Sequence, residues 1–188
     1  MSTERPSMCL GEHSILLVVD VQSRLTVAMR EDDRARVFRT IGILAQAAEL
    51  LGVPTFLTEQ YSKGLGPTEP SVSCHLTAAR RFEKTSFSCC GAQKFPDELL
   101  ATGRRQVVIA GMEAHVCVLQ TALDLRSAGF EVFVAEDGVC SRDPRNRHNA
   151  LERLRRSGVI ITNAESVVFE WMRDSRHEHF KAVSALVR

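Results

Sequence analysis

Five short apolar runs rich in β-branched residues punctuate the chain, at residues 15–19, 54–58, 106–110, 131–135 and 159–162. Their apolarity is continuous rather than alternating, which suits strands buried on both faces, as in a parallel sheet. Helical spacing fills the intervals. Val37, Ile41, Leu44, Ala48 and Leu51 recur at helical steps, and Gly52 with Pro54 supplies a stop. Asp143 followed by Pro144 reads as an N-cap and a first-turn proline, with Ala150, Leu151 and Leu154 as the buried stripe and Gly158 closing the helix. Gly129 closes in the same way a helix that starts near Cys117. Strand alternating with helix predicts an α/β domain with helices on both faces of its sheet.

Residues 61–102 break this rhythm. Gly64, Gly66, Pro67 and Pro70 mark a long loop there, and a loop of that length in a compact domain is expected to be functional or mobile. Beyond Glu165, the apolar positions Val167, Val168 and Trp171, then Phe180, Val183, Leu186 and Val187, predict two short helices packed on the sheet or on another subunit. No repeat or linker divides the chain, so one domain is expected over residues 14–188, preceded by a flexible N-terminal arm over residues 1–13.

At 188 residues the chain can bury a sizeable core without metals or disulfides. Its 24 basic and 23 acidic residues nearly cancel, and aromatic residues make up only 6%. That balance argues against the basic groove and stacking aromatics of a nucleic-acid binder and against a polybasic membrane surface. The densest basic stretch, residues 142–156, interleaves Asp143 and Glu152 and has the spacing of a solvated helix face. Glu4 and Pro6 interrupt the stretch where a signal peptide needs an apolar core, and no apolar run is long enough to span a bilayer. Cys9, Cys74, Cys89, Cys90, Cys117 and Cys140 lack the spacing of a disulfide framework, so reduced thiols and a cytoplasmic location are expected. Neither a Gly-rich dinucleotide fingerprint after the first strand nor a Gly-x-Ser-x-Gly elbow is present.

In open parallel sheets ligands bind beyond the carboxyl ends of the strands, which draws attention to the residues that follow each apolar run. Cys117 stands where a strand ends, a short turn follows and a helix begins. Free amides and a positive macrodipole at a helix start favour a thiolate and can receive an oxyanion, whereas the plainer role for such a cysteine is an inert, small apolar side chain. Asp20 follows Val19 directly and fits either a general base or a helix N-cap. Lys84, in the run Arg81-Phe82-Glu83-Lys84-Thr85-Ser86-Phe87, is a solvated charge unless it has a partner. Together the three make a workable set: a carboxylate to accept the thiol proton, an ammonium to hold it ionised, and a sulfur nucleophile.

The segments Leu16-Leu17-Val18-Val19-Asp20-Val21-Gln22, Glu83-Lys84-Thr85 and Gly111-Met112-Glu113-Ala114-His115-Val116-Cys117-Val118 resemble the first-strand, lysine and nucleophile motifs of the isochorismatase-like cysteine hydrolases, which include the nicotinamidases. The stretches 58–67, 123–125 and 137–142 resemble the subgroup named for the isochorismatase domain. The resemblance implies a three-layer α/β/α domain with a six-stranded parallel sheet in the order 3-2-1-4-5-6. It implies Asp20, Lys84 and Cys117 as catalytic residues, a cis peptide at Met112-Glu113, and the backbone N–H groups of Glu113 and Cys117 as oxyanion hole. Around the substrate it implies Gln22, Gln60, Tyr61, Met112, Glu113 and His115, and for the assembly a homo-oligomer, a dimer or tetramer, with the C-terminal helices as contacts.

One departure matters. Nicotinamidases hold a metal through an aspartate and histidines after the second strand, but here that stretch reads Thr58-Glu59-Gln60-Tyr61, and Cys74 with His75 lacks paired ligand spacing. No metal and no cofactor are therefore expected. The expected function is a metal-independent amidohydrolase acting on a small-molecule substrate, which cleaves an amide-type C–N bond through a Cys117 thioester. The alternative is a non-catalytic relative that binds a metabolite or a protein. The ribonuclease label carried by some relatives finds no support in the charge pattern, and neither nucleic acid nor membrane is an expected partner.

Overall fold

The computed structural model describes residues 8–188, so most of the expected N-terminal arm lies outside the described residues. Its last part is not an arm. Cys9 is buried and donates its backbone N–H to the Glu170 carboxylate at 2.6 Å, and Leu10 donates to the Gln106 side chain at 2.7 Å. A single 3-10 turn, Gly11–His13, then leads into the sheet.

Strand β1 (Ser14–Val19) is buried throughout and is followed by a short helix α1 (Ser23–Thr26) and the long helix α2 (Glu31–Leu50). Strand β2 (Thr55–Gln60), helices α3 (Ser62–Leu65) and α4 (Pro70–Ser73), strand β3 (Arg80–Lys84) and helix α5 (Phe95–Ala101) come next. Strand β4 (Gln106–Met112) runs through a turn into α6 (Leu119–Ser127), then β5 (Glu131–Cys140) and α7 (Pro144–Arg156). Strand β6 (Ile160–Thr162), α8 (Ala164–Met172) and α9 (Phe180–Leu186) complete the described chain. The strands form one parallel sheet in the order β3-β2-β1-β4-β5-β6.

Residues 61–102 are therefore less of a loop than the pattern predicts, because they contain an edge strand. In β3 only Phe82 and Lys84 are buried, while Arg80, Arg81 and Glu83 face solvent. Charges suit an edge, which must not recruit a further strand, and they hide β3 from a search for continuous apolar runs.

Strand alternation sorts the core into two layers. Leu16, Val18, Val108, Ala110 and Met112 pack beneath α2 and α8, with Val37, Ile41, Leu44, Val167 and Trp171. Ile15, Leu17, Val19, Val107 and Ile109 pack on the other face beneath α5, α6 and α7, in the layer that also holds Phe82 and Cys117. The apolar stripe of the C-terminal helices is thus buried within this chain, against α2. Asp143 caps α7 by accepting the Arg145 N–H, as the Asp-Pro pair predicts.

The chain turns from β1 outward to β2 on one side, while β4 lies on the other. This is the switch point, and its closeness shows at Gly111, paired with Val19. Gly111 has φ 126°, and a Cβ there would stand 2.1 Å from the Val19 carbonyl oxygen. Only glycine lets β1 and β4 meet there.

Candidate active site

Asp20 is the first residue beyond β1 and takes the left-handed conformation, with φ 52°. That turn brings its carboxylate into the crevice between strand ends. Val19 pairs with Thr58 in β2, and Gln60 at the end of β2 pairs with Lys84 at the end of β3. The register alone thus aligns the ends of three strands, and the alternation in β3 sends Lys84 to the same side as Phe82.

The contacts follow. Lys84 Nζ donates to Asp20 Oδ2 at 2.6 Å, and both side chains are 0% exposed. Thr58 Oγ1 donates to the other carboxylate oxygen, Oδ1, at 2.8 Å. The rest of the ammonium is taken by Gln60 Oε1 at 2.7 Å and by the carbonyls of Phe87 and Ser86 at 3.1 and 3.2 Å. Two charges removed from water persist only when paired and hydrogen-bonded, and this pair is both. The structure removes the alternatives of a surface lysine and a helix-capping aspartate.

Cys117 lies in a single π-helical turn, Ala114–Val118, that joins β4 to α6; the peptide between Met112 and Glu113 is cis. The Glu113 carbonyl accepts the N–H groups of both Val116 and Val118. The thiol is 6% exposed, and its pKa is raised, opposite in direction to the helix-start expectation. Burial is the largest cause and the negative charge of Asp20 the next, while Lys84 works in the lowering direction. The resting group is a thiol beside a carboxylate. A second buried thiol, Cys89, is 3.5 Å from the Thr58 hydroxyl and is pushed up to about 12, chiefly by burial and then by Asp20.

A cavity of about 110 Å³ opens over Cys117, walled by Leu25, Leu65, Phe87 and Val116 with Gln60 and Glu113. Of the six residues expected around the substrate, Gln60 and Glu113 line it. Gln22 does not: it is fully buried, donates to the carbonyls of Gln60 and Gly66, and accepts the Gln60 N–H, so its amide pins the loop after β2. Met112 is fully buried in the layer beneath α2, on the face opposite Cys117, because it ends the alternation of β4. Tyr61 is 55% exposed, folds its ring over Gly64 and donates only its backbone N–H to Lys84. His115 points its Nδ1 to the Ser141 hydroxyl at 3.0 Å.

Several contributors escape the sequence reading. Thr58 opens the stretch 58–67 that resembles the subgroup, but nothing in the sequence gave it a role at Asp20. Leu65 and Phe87 stood out as apolar residues in a polar, Gly-rich stretch, and Phe87 is 54% exposed. Arg142 grips the Glu113 carboxylate through its backbone N–H at 2.9 Å and its Nε at 3.1 Å. Among the described residues no group of three or more His, Cys, Asp or Glu side chains is placed to hold a metal ion.

The isochorismatase domain model matches residues 14–166. Isochorismatase domain-containing protein 1 of Danio rerio is 42% identical over 146 residues, or 77% of this chain. The chain spans about half of that relative, 51% of its length. Among solved structures, the MAR1 ribonuclease of Caenorhabditis elegans has a TM-score of 0.89 at 35% identity, covering 96% of this chain and 92% of that one. YcaC of Escherichia coli, described as an octameric hydrolase of unknown specificity, has a TM-score of 0.91 at 26% identity, covering 98% and 91%.

Proposed function

From the premise that this chain belongs to the isochorismatase domain family and has its hydrolase fold, we propose that it is a metal-independent cysteine hydrolase of amide-type C–N bonds. The observation that carries this reading is the buried Asp20–Lys84 pair at 2.6 Å beside the Cys117 thiol. As Sγ attacks the carbonyl carbon, Asp20 takes the thiol proton. The oxygen that becomes negative is received by the backbone N–H groups of Glu113 and Cys117. Collapse breaks the C–N bond, and Asp20 returns the proton to the departing nitrogen. Water then attacks the thioester while Asp20 accepts its proton, the acid leaves, and the thiol is restored. Lys84 stays charged throughout and balances Asp20 whenever it is ionised.

The raised pKa of Cys117 supports a general base rather than a standing thiolate. Six free cysteines support a reducing compartment such as the cytoplasm. The octameric state of YcaC supports a homo-oligomeric state here. The test is a screen of small amides and ureides against wild type and Cys117→Ala, following ammonia release. At least one amide should be cleaved by wild type and none by the variant; cleavage that survives the substitution would end the covalent mechanism.

A further inference from the structure

The charges around the cavity come in closed pairs. Asp20 is matched by Lys84, and Glu113, 7% exposed, is matched by Arg142. Gln60 carries no charge; its oxygen accepts from Lys84 and one N–H donates to the Thr85 carbonyl at 2.7 Å, which leaves its other N–H as a neutral donor. An ionised substrate entering this space would give up water and find no unpaired charge among the residues that line it. The cation beside Glu113, Arg142, is 62% exposed and already holds that carboxylate.

The walls point the same way. Leu25, Leu65, Phe87 and Val116 offer apolar surface, and about 110 Å³ is well below the volume that a drug-sized ligand or a nucleoside fills.

Resting on the hydrolase reading above, we infer that the substrate is the uncharged amide of a short aliphatic acid, its hydrocarbon held between Leu65, Phe87, Leu25 and Val116 and its carbonyl carbon presented to Cys117. Leu65 after β2 and Phe87 after β3 set the length of chain accepted. Charged amides are refused because nothing inside is free to neutralise them.

Two measurements separate this inference from the reading it rests on. The first compares kcat/KM for propionamide, butyramide and hexanamide with anionic succinamate and cationic glycinamide, in wild type, Leu65→Ala and Phe87→Ala. The three- and four-carbon neutral amides should exceed the charged ones at least tenfold. Either truncation should raise hexanamide several-fold relative to propionamide, and Phe87, being half exposed, can be truncated without cost to folding. The second follows alkylation of Cys117 by neutral iodoacetamide and anionic iodoacetate, resolved by peptide mass and referred to exposed Cys74 in the same molecule. Iodoacetamide should be favoured at least tenfold at Cys117 beyond its preference at Cys74. If no amide is cleaved but that preference holds, the hydrolytic reading fails and the neutral, narrow cavity stands. If succinamate or glycinamide matches the neutral amides, or iodoacetate keeps pace at Cys117, the inference is overturned while cysteine hydrolysis stands.

Discussion

Lys84 and Asp20 depend on each other for their charge, since each lies beyond the reach of solvent. Removing one partner of such a pair leaves an uncompensated buried charge, at a cost of about 3–5 kcal/mol. Lys84→Ala should therefore lower the unfolding free energy by about that amount, read from the midpoint of a urea titration. A loss of less than about 1 kcal/mol would mean that the pair is solvated and its role misassigned. At Cys117 the residue itself was legible and its electrostatics were not. A strand, a turn and a helix start together pointed to the thiol, but its pKa is raised first by burial and then by Asp20, a residue nearly a hundred positions away that only the β1–β4 pairing brings alongside. Gln22 and Met112 show the same limit. Both stand beside the motifs, yet backbone hydrogen bonds and strand alternation turn one to the loop and the other to the opposite core layer.

At the scale of elements, β1 and β4 carry the site, because their ends present Asp20 and the Cys117 turn. They approach so closely at Val19 and Gly111 that the site depends on the missing side chain there. Gly111→Ala combines a positive φ with a clash against backbone, and should destabilise the fold by about 3 kcal/mol or more and abolish any cleavage. Unchanged thermal unfolding in that variant would contradict the described contact. Strands β1, β2, β4, β5 and β6 and the helices α2, α6 and α7 were readable from apolar runs and from Gly, Asp and Pro signals, because apolar strands and amphipathic helices write their environments directly into sequence. Strand β3 was not. An edge strand with one apolar residue carries no such record, and Lys84 was found through its motif rather than its strand.

For the whole molecule, the proposed active centre is an assembly of four segments far apart in sequence: the end of β1, Thr58 and Gln60 in β2, the end of β3, and the turn after β4. No helix of the described residues is long and apolar enough to cross a membrane. The central claim is that Asp20 both suppresses the thiolate at rest and takes the proton during attack, so its neutral replacement must move two readouts in opposite directions. Removing the carboxylate's negative charge favours the charged form of Cys117 and lowers its pKa. The deciding measurement is Asp20→Asn, assayed side by side for amide cleavage and for the pH dependence of Cys117 alkylation. Cleavage should fall by about 10²–10⁴-fold while the alkylation midpoint shifts to lower pH and the rate at neutral pH rises. A variant that keeps its cleavage, or whose Cys117 titrates at the same or a higher pH than in wild type, would contradict the account.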